Sequence, residues 1–136
     1  MANLLYIHPK DLKDHWEYVR QGVARIHEKC KDRWSIEDLY MMLKTERAAL
    51  YMCMDNKVEG FVVLQLNDDY DGKIVNVFAG YSDTKDIMNY ALPMVKDIAI
   101  GLNAKRLTFV SPRAGWDKRA LELGYTQVSK NYEMIL

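Results

Sequence analysis

Two cysteines, Cys30 and Cys53, are all that the 136 residues contain, too few for the disulfide framework of a small secreted domain. They read as free thiols kept reduced in a cytoplasm. A surplus of either charge is equally absent, since 19 Lys and Arg face 19 Asp and Glu. Nucleic-acid binders carry a basic excess that displaces counterions from phosphates, so that class is set aside, and a membrane-surface role falls on the same ground. No apolar run approaches the ~20 residues of a membrane span. The opening Met1–Pro9 stretch has neither the charged lead nor the apolar length of a signal peptide. His8, His15 and His27 are spaced too widely for a helical ligand pair, and His27 with Cys30 lacks further ligands, so no metal site is expected. Neither cysteine has a histidine or acid beside it in a nucleophile arrangement. No linker, repeat or low-complexity tract interrupts the chain, and residues 1–136 are expected to form one domain.

What is present is periodicity. Trp16, Val19, Val23, Ile26 and Cys30 recur at helical spacing over 14–31, with Gly22 as a weak point. Ser35-Ile-Glu-Asp38 has the form of a capping box opening a second helix. The period then shortens. Residues 49–54 and 59–66 read as strands joined by a tight turn at Asp55-Asn56-Lys57, and 73–79 as a third strand after a polar turn at 67–72. The acids of that turn lack the spacing of a calcium loop. Residues 86–102 read as a helix with Pro93 inside it, 106–110 as a strand, 115–123 as a short helix and 125–135 as a final strand or hairpin arm. Antiparallel strands followed by a β-α-β-α-β tail predict an α/β (α+β) chain whose mixed, mostly antiparallel sheet is flanked by helices.

The element order, and the ending in which Leu123-Gly124-Tyr125 closes a helix before a last segment, resemble the GNAT superfamily of N-acetyltransferases. Arg113-Ala-Gly115-Trp116 is similar to the opening of that helix in small GNAT-like proteins of tailed phages. The resemblance implies acetyl-CoA as cofactor and a small-molecule or protein amine as acceptor. It also implies an opening between the strands at 73–79 and 106–110, a cofactor loop running from the end of the first of these into the long helix, and an oxyanion site on strand backbone near Phe78 or Ala79. Candidate cofactor-binding residues are Phe78, Ala79, Gly80, Ser82, Thr84, Arg113 and Trp116.

The loop departs from the family pattern. Asp83 to Met88 contains neither usual glycine, and Asp83 and Asp86 stand where a phosphate would be repelled. Ser82 and Asp83 serve equally well as helix caps. The family's usual tyrosine acid aligns with Ala120, and no carboxylate lies on the strand at 73–79. Tyr81, with an ordinary pKa of roughly 10, is the nearest titratable group and a candidate proton donor, or else packs beside the strand end. Trp116 reads as a cover for the core edge or a ring-stacking partner, and Arg113 as a phosphate ligand, a carboxylate partner or a turn clamp. Two functions follow: an acyl-CoA-dependent N-acetyltransferase with a degenerate pyrophosphate loop, or a non-catalytic GNAT-like phage protein that binds a protein partner in virion assembly or host takeover.

Overall fold

The computed structural model describes residues 3–30, 33–84, 87–111 and 116–136, the side chains of 87–90 excepted. Five strands form one sheet in sequence order: β1 (Asn3–Ile7), β2 (Ala49–Asp55), β3 (Lys57–Asp69), β4 (Gly72–Ser82) and β5 (Ala104–Phe109). The first four pair antiparallel and β5 joins β4 in parallel. Helices α1 (Trp16–Lys29) and α2 (Ile36–Lys44) precede β2, α3 (Ile87–Gly101) links β4 to β5, and α4 (Trp116–Glu122) follows β5.

Both faces of the sheet are covered, which explains why Gly60–Leu64 is a continuous buried run rather than an alternating one. Phe61 and Val63 pack with Val19 and Val23 of α1 and Leu39 and Leu43 of α2. Their neighbours Val62 and Leu64 turn the other way, onto Val95 and Ala99 of α3. Helix α2 starts where the capping pattern requires. Ser35 Oγ accepts from the Asp38 amide at 3.1 Å, and Asp38 Oδ2 accepts from the Ser35 amide at 2.8 Å. Gly22, the weak point of α1, is needed there: a Cβ would stand 2.5 Å from Phe61 Cε2 and 2.9 Å from Tyr81 Cδ2. The glycine lets the helix backbone lie directly on the two rings.

The structure corrects the sequence reading in three places. Strand β1 was not anticipated, because Leu4-Leu5-Tyr6-Ile7 does not alternate; it forms through pairing with β2 from Asn3↔Met54 to Ile7↔Leu50. The polar turn at 67–72 is shorter than expected. The β3–β4 ladder continues to Asp69↔Gly72, and Arg106 draws the tip together by bonding both Asp69 and, at 2.9 Å, Asp71. Third, residues 125–136 form no ladder and are not a strand in the isolated chain. Helix α4 ends in a glycine turn, with Gly124 at φ 96° and the Tyr125 amide returning to the Ala120 carbonyl at 2.9 Å. The residues that follow, 125–136, carry no regular secondary structure. Pro93 sits within a continuous α3, on an exposed face.

Candidate functional site

Strand β4 is where the architecture opens. Its parallel ladder with β5 runs from Lys73↔Ala104 to Val77↔Phe109 and stops, short of Gly80. On its other side the register with β3 jumps from Leu64↔Val77 to Val63↔Ala79. Phe78 is therefore the extra residue of a β-bulge, with no register partner in either neighbouring strand. From this point β4 continues to Ser82 paired only with β3.

The space left beside it is a cavity of about 340 Å³. Phe78 to Ser82 and Thr84 form one wall, with Phe109, Val110, Ser111 and Trp116 opposite. Ala91, Leu92 and Val95 of α3 line it, as do Ile26 and Lys29 of α1 and, after that helix, Cys30 and Trp34. Among the described lining residues there is no carboxylate and no histidine. The rings are held by one another: Trp34 lies 4.9 Å from Phe78, and Trp116 and Tyr125 meet Phe109 edge-on at 5.2 and 4.8 Å. Of the residues singled out in the sequence, Phe78, Ala79, Gly80, Tyr81, Ser82, Thr84 and Trp116 thus line one cavity. Arg113 and Asp86 lie outside the described residues.

The sequence reading missed the contribution of α1. Arg25 and Lys29, one helical turn apart, line the cavity and an adjoining polar hollow together with Tyr81, Ser82 and Thr84, and Glu28 and Asp83 line the hollow as well. Their spacing is legible in the sequence, but it is also the spacing of any solvated helix face.

Asp83 is held differently from the way its position in the loop suggested. Its carboxylate accepts the Tyr18 hydroxyl at 2.6 Å and the Tyr81 hydroxyl at 2.7 Å, so both oxygens are turned toward tyrosines. Those two bonds, Tyr18 first, hold its pKa below the ordinary 3.8 against the opposing effect of burial, and Arg25 and Lys57 add to the lowering. Burial and then the Asp83 bond push the Tyr81 hydroxyl above its ordinary 10.0, and Tyr18 moves the same way for the same two reasons. Both phenols keep their protons at working pH. The Asp83 amide bonds the Glu59 carbonyl at 2.8 Å and the Thr84 amide bonds Ser82 Oγ at 2.9 Å.

The linkage is one-directional. A carboxyl whose folded pKa is depressed contributes stability above its unfolded value and loses it as pH falls through the folded one. The melting temperature of Asp83→Asn should therefore lie below that of the parent at neutral pH, and the gap should close as pH drops below about 4. Paired thermal melts across that range check this; a gap that widens on acidification would contradict the assignment.

Among the described residues no three His, Cys, Asp or Glu side chains cluster to hold a metal, and no helix is long and apolar enough to cross a membrane. No protein-family model matches the sequence, and no curated protein matches it. Solved structures do. The ribosomal-protein-alanine N-acetyltransferase of Brucella melitensis biovar Abortus 2308 superposes over 100% of this chain and 99% of its own, at 17% identity and a TM-score of 0.71. The aminoglycoside N-acetyltransferase AAC(6')-Iy, solved in complex with CoA, superposes over 100% and 95%, at 12% identity and 0.72. The aminoglycoside acetyltransferase meta-AAC0020 from an uncultured soil metagenome, solved with sisomicin, superposes over 99% and 97%, at 14% identity and 0.69. The chain has the mixed-sheet α+β fold of these acetyltransferases, as the GNAT resemblance implied.

Proposed function

We propose that the chain is an acyl-CoA-dependent N-acetyltransferase acting in the cytoplasm on a small-molecule or protein amine. The observation that carries this reading is the bulge at Phe78, the one point of β4 without a register partner on either side, opening onto the cavity. On this reading a backbone N–H of the Phe78–Ala79 stretch meets the negative charge developing on a carbonyl oxygen.

The residues present fit a CoA thioester. The apolar walls of Phe78 to Gly80, Val110 and Trp116 suit a flexible acyl-carrying arm, while Arg25, Lys29, Ser82 and Thr84 at the mouth suit phosphates, beside the carboxylate of Glu28 and that of Asp83, which is turned to its two tyrosines. When bound, such a cofactor supplies an acyl carbonyl already activated toward amines. The chain's own residues position and exclude water. With no carboxylate or histidine among the described lining residues, the acceptor enters as the neutral amine. Holding it in place is worth roughly 7 to 11 kcal/mol in favourable intramolecular cases. Tyr81, which lines the cavity, serves as the relay: it gives its proton to the departing thiolate and takes up the one the attacking amine sheds, so the phenol is restored.

The phosphate contacts come from α1 rather than from a glycine loop, because the Asp83 and Thr84 amides are already bonded within the protein. Calorimetry with acetyl-CoA is expected to give one site per chain, with micromolar to millimolar affinity. Lys29→Glu, which reverses an exposed charge, should weaken it about tenfold or more, with an unchanged melting temperature. Absence of any heat up to millimolar acetyl-CoA would instead leave a GNAT-shaped protein that acts by binding a partner.

A further inference from the structure

The cavity beside Phe78 draws its walls from both cores, and its two ends differ in chemistry. Toward α3 it is aliphatic, with Leu4, Val62, Val77 and Val95 from the layer beneath that helix. Toward α1 it is aromatic, with Trp34, Phe61, Phe78 and Tyr81 beside Ile26 and Ala79. The difference follows from the pleat of β3 and β4, which sends Val62 and Val77 one way and Phe61 and Phe78 the other. The aromatic end is held from within. Trp34 meets His27 edge-on at 4.6 Å and Phe78 at 4.9 Å. Phe61 and Tyr81 stand 5.9 Å apart with their planes 33° from parallel, and the Tyr81 hydroxyl is tied to Asp83 at 2.7 Å.

The charges around this end limit what it accepts. Among the described lining residues the titratable groups are two cations, Arg25 and Lys29, two thiols, Cys30 and Cys53, and two phenols, Tyr81 and Tyr125. Burial pushes the Cys53 thiol and both phenols above their ordinary values, so these three hold their own protons at neutral pH. In the hollow at the mouth Arg25 and Lys29 are matched by Glu28 and Asp83, and Asp83 is turned to Tyr18 and Tyr81. No net negative charge there draws in a polycation. An alkylamine resembles the lysine side chain, of which only about one molecule in 2,500 is uncharged at neutral pH. In an arylamine the nitrogen lone pair is shared with the ring. The amine is then neutral at the same pH, and its ring can make edge and face contacts with the rings that line the wall.

Resting on the transferase reading above, we propose that the acceptor is a neutral aromatic amine whose ring binds at the aromatic end, against Trp34, Phe61, Phe78 and Tyr81. Its nitrogen bonds to the acyl carbon of the CoA thioester as the carbon–sulfur bond breaks. Tyr81 gives its proton to the leaving sulfur and takes the one shed by the nitrogen, so that an N-aryl amide and a free thiol leave. A strong protein base has no task here, because the nitrogen arrives unprotonated.

Two isomers separate the charge of the amine from its size and its ring: p-ethylaniline, neutral at working pH, and phenethylamine, a cation. Each is titrated by calorimetry onto the full chain, alone and with excess free CoA. At neutral pH p-ethylaniline is expected to bind saturably and at least about tenfold tighter than phenethylamine. Its affinity should stay level up to about pH 9, while the gap narrows as the alkylamine sheds its proton. Trp34→Leu should weaken p-ethylaniline about tenfold, and Trp34→Phe should restore most of the loss. With acetyl-CoA added, the product is N-acetyl-p-ethylaniline. Isomers that bind equally at neutral pH overturn the proposal, as does a folded Trp34→Leu that binds p-ethylaniline like the parent. Absence of saturable heat with p-ethylaniline in both titrations overturns it too, and so does binding beside bound acetyl-CoA that yields no amide. Failure of the transferase reading is distinct: acetyl-CoA gives no heat while p-ethylaniline still binds, which keeps the aromatic site and removes the transfer.

Discussion

Phe61→Ala is expected to cost about 3 to 5 kcal/mol of stability, the range for truncating a buried aromatic, and to lower the melting temperature by roughly 10 to 20 °C for a chain of this size. Phe61 is 2% exposed, pairs across the sheet with Met52 and Tyr81, and meets Tyr18 and Tyr81 at ring distances of 6.4 and 5.9 Å. How far the site can collapse sets the cost of such a change. Here α1 already rests on the rings through the bare backbone of Gly22, so the helix has little room to follow a retreating side chain. The void would instead merge with the cavity that Phe61 lines, and Tyr81 would lose its support. Phe61→Leu, which keeps most of the volume, should cost less than about 1.5 kcal/mol. Chemical denaturation of the two variants separates ring packing from mere bulk, and equal losses would contradict this account.

The largest expected effect on turnover belongs to Phe78→Pro. Removing one donor to a developing oxyanion costs about 100- to 1,000-fold in kcat. Proline deletes the backbone N–H at the bulge, a place in a sheet that accepts it. Phe78→Ala retains the N–H and discards only the ring, which packs on Trp34, so it should keep kcat within about tenfold of the parent. The assay is acetyl-CoA-dependent thiol release with an amine acceptor, run beside thermal melts. Equal losses in the two variants, with both folded, would mean that the ring matters and the backbone donor does not.

Local features were legible in the sequence, and long-range ones were not. The Ser35 capping box and the turn at Asn56 both depend on residues a few positions apart, whereas β4, expected to end at Ala79, runs on to Ser82 because β3 continues beside it. Trp116 covers Phe109 at the core edge, consistent with what a large aromatic at a helix start suggests. The bulge at Phe78 has no sequence signal, because it exists only in the register between two strands. Asp83 read as a charge set against phosphate, but its orientation is fixed by Tyr18, 65 positions away. Strand β1 forms because β2 offers an edge, not because its own residues alternate. The tail shows the converse: residues 125–135 read as a strand or hairpin arm, and no strand forms there. The proposed cation pair of Arg25 and Lys29 becomes visible only once α1 is laid across the end of β4.

Three tryptophans are present, and they are distributed unevenly. Trp34 and Trp116 both line the cavity, one against Phe78 and the other against Phe109, whereas Trp16 packs edge-on to Tyr40 in the helical layer at 5.0 Å. The protein thus contains two emitters facing any occupant and one facing away. Emission from the first pair responds to what enters, by quenching or by loss of water, while the third supplies a constant background. Occupancy can therefore be followed optically on the unlabelled chain. Trp34→Phe and Trp116→Phe would assign the signal to the α1 side or the β5 side of the opening, and so map which wall a ligand touches before any turnover is measured.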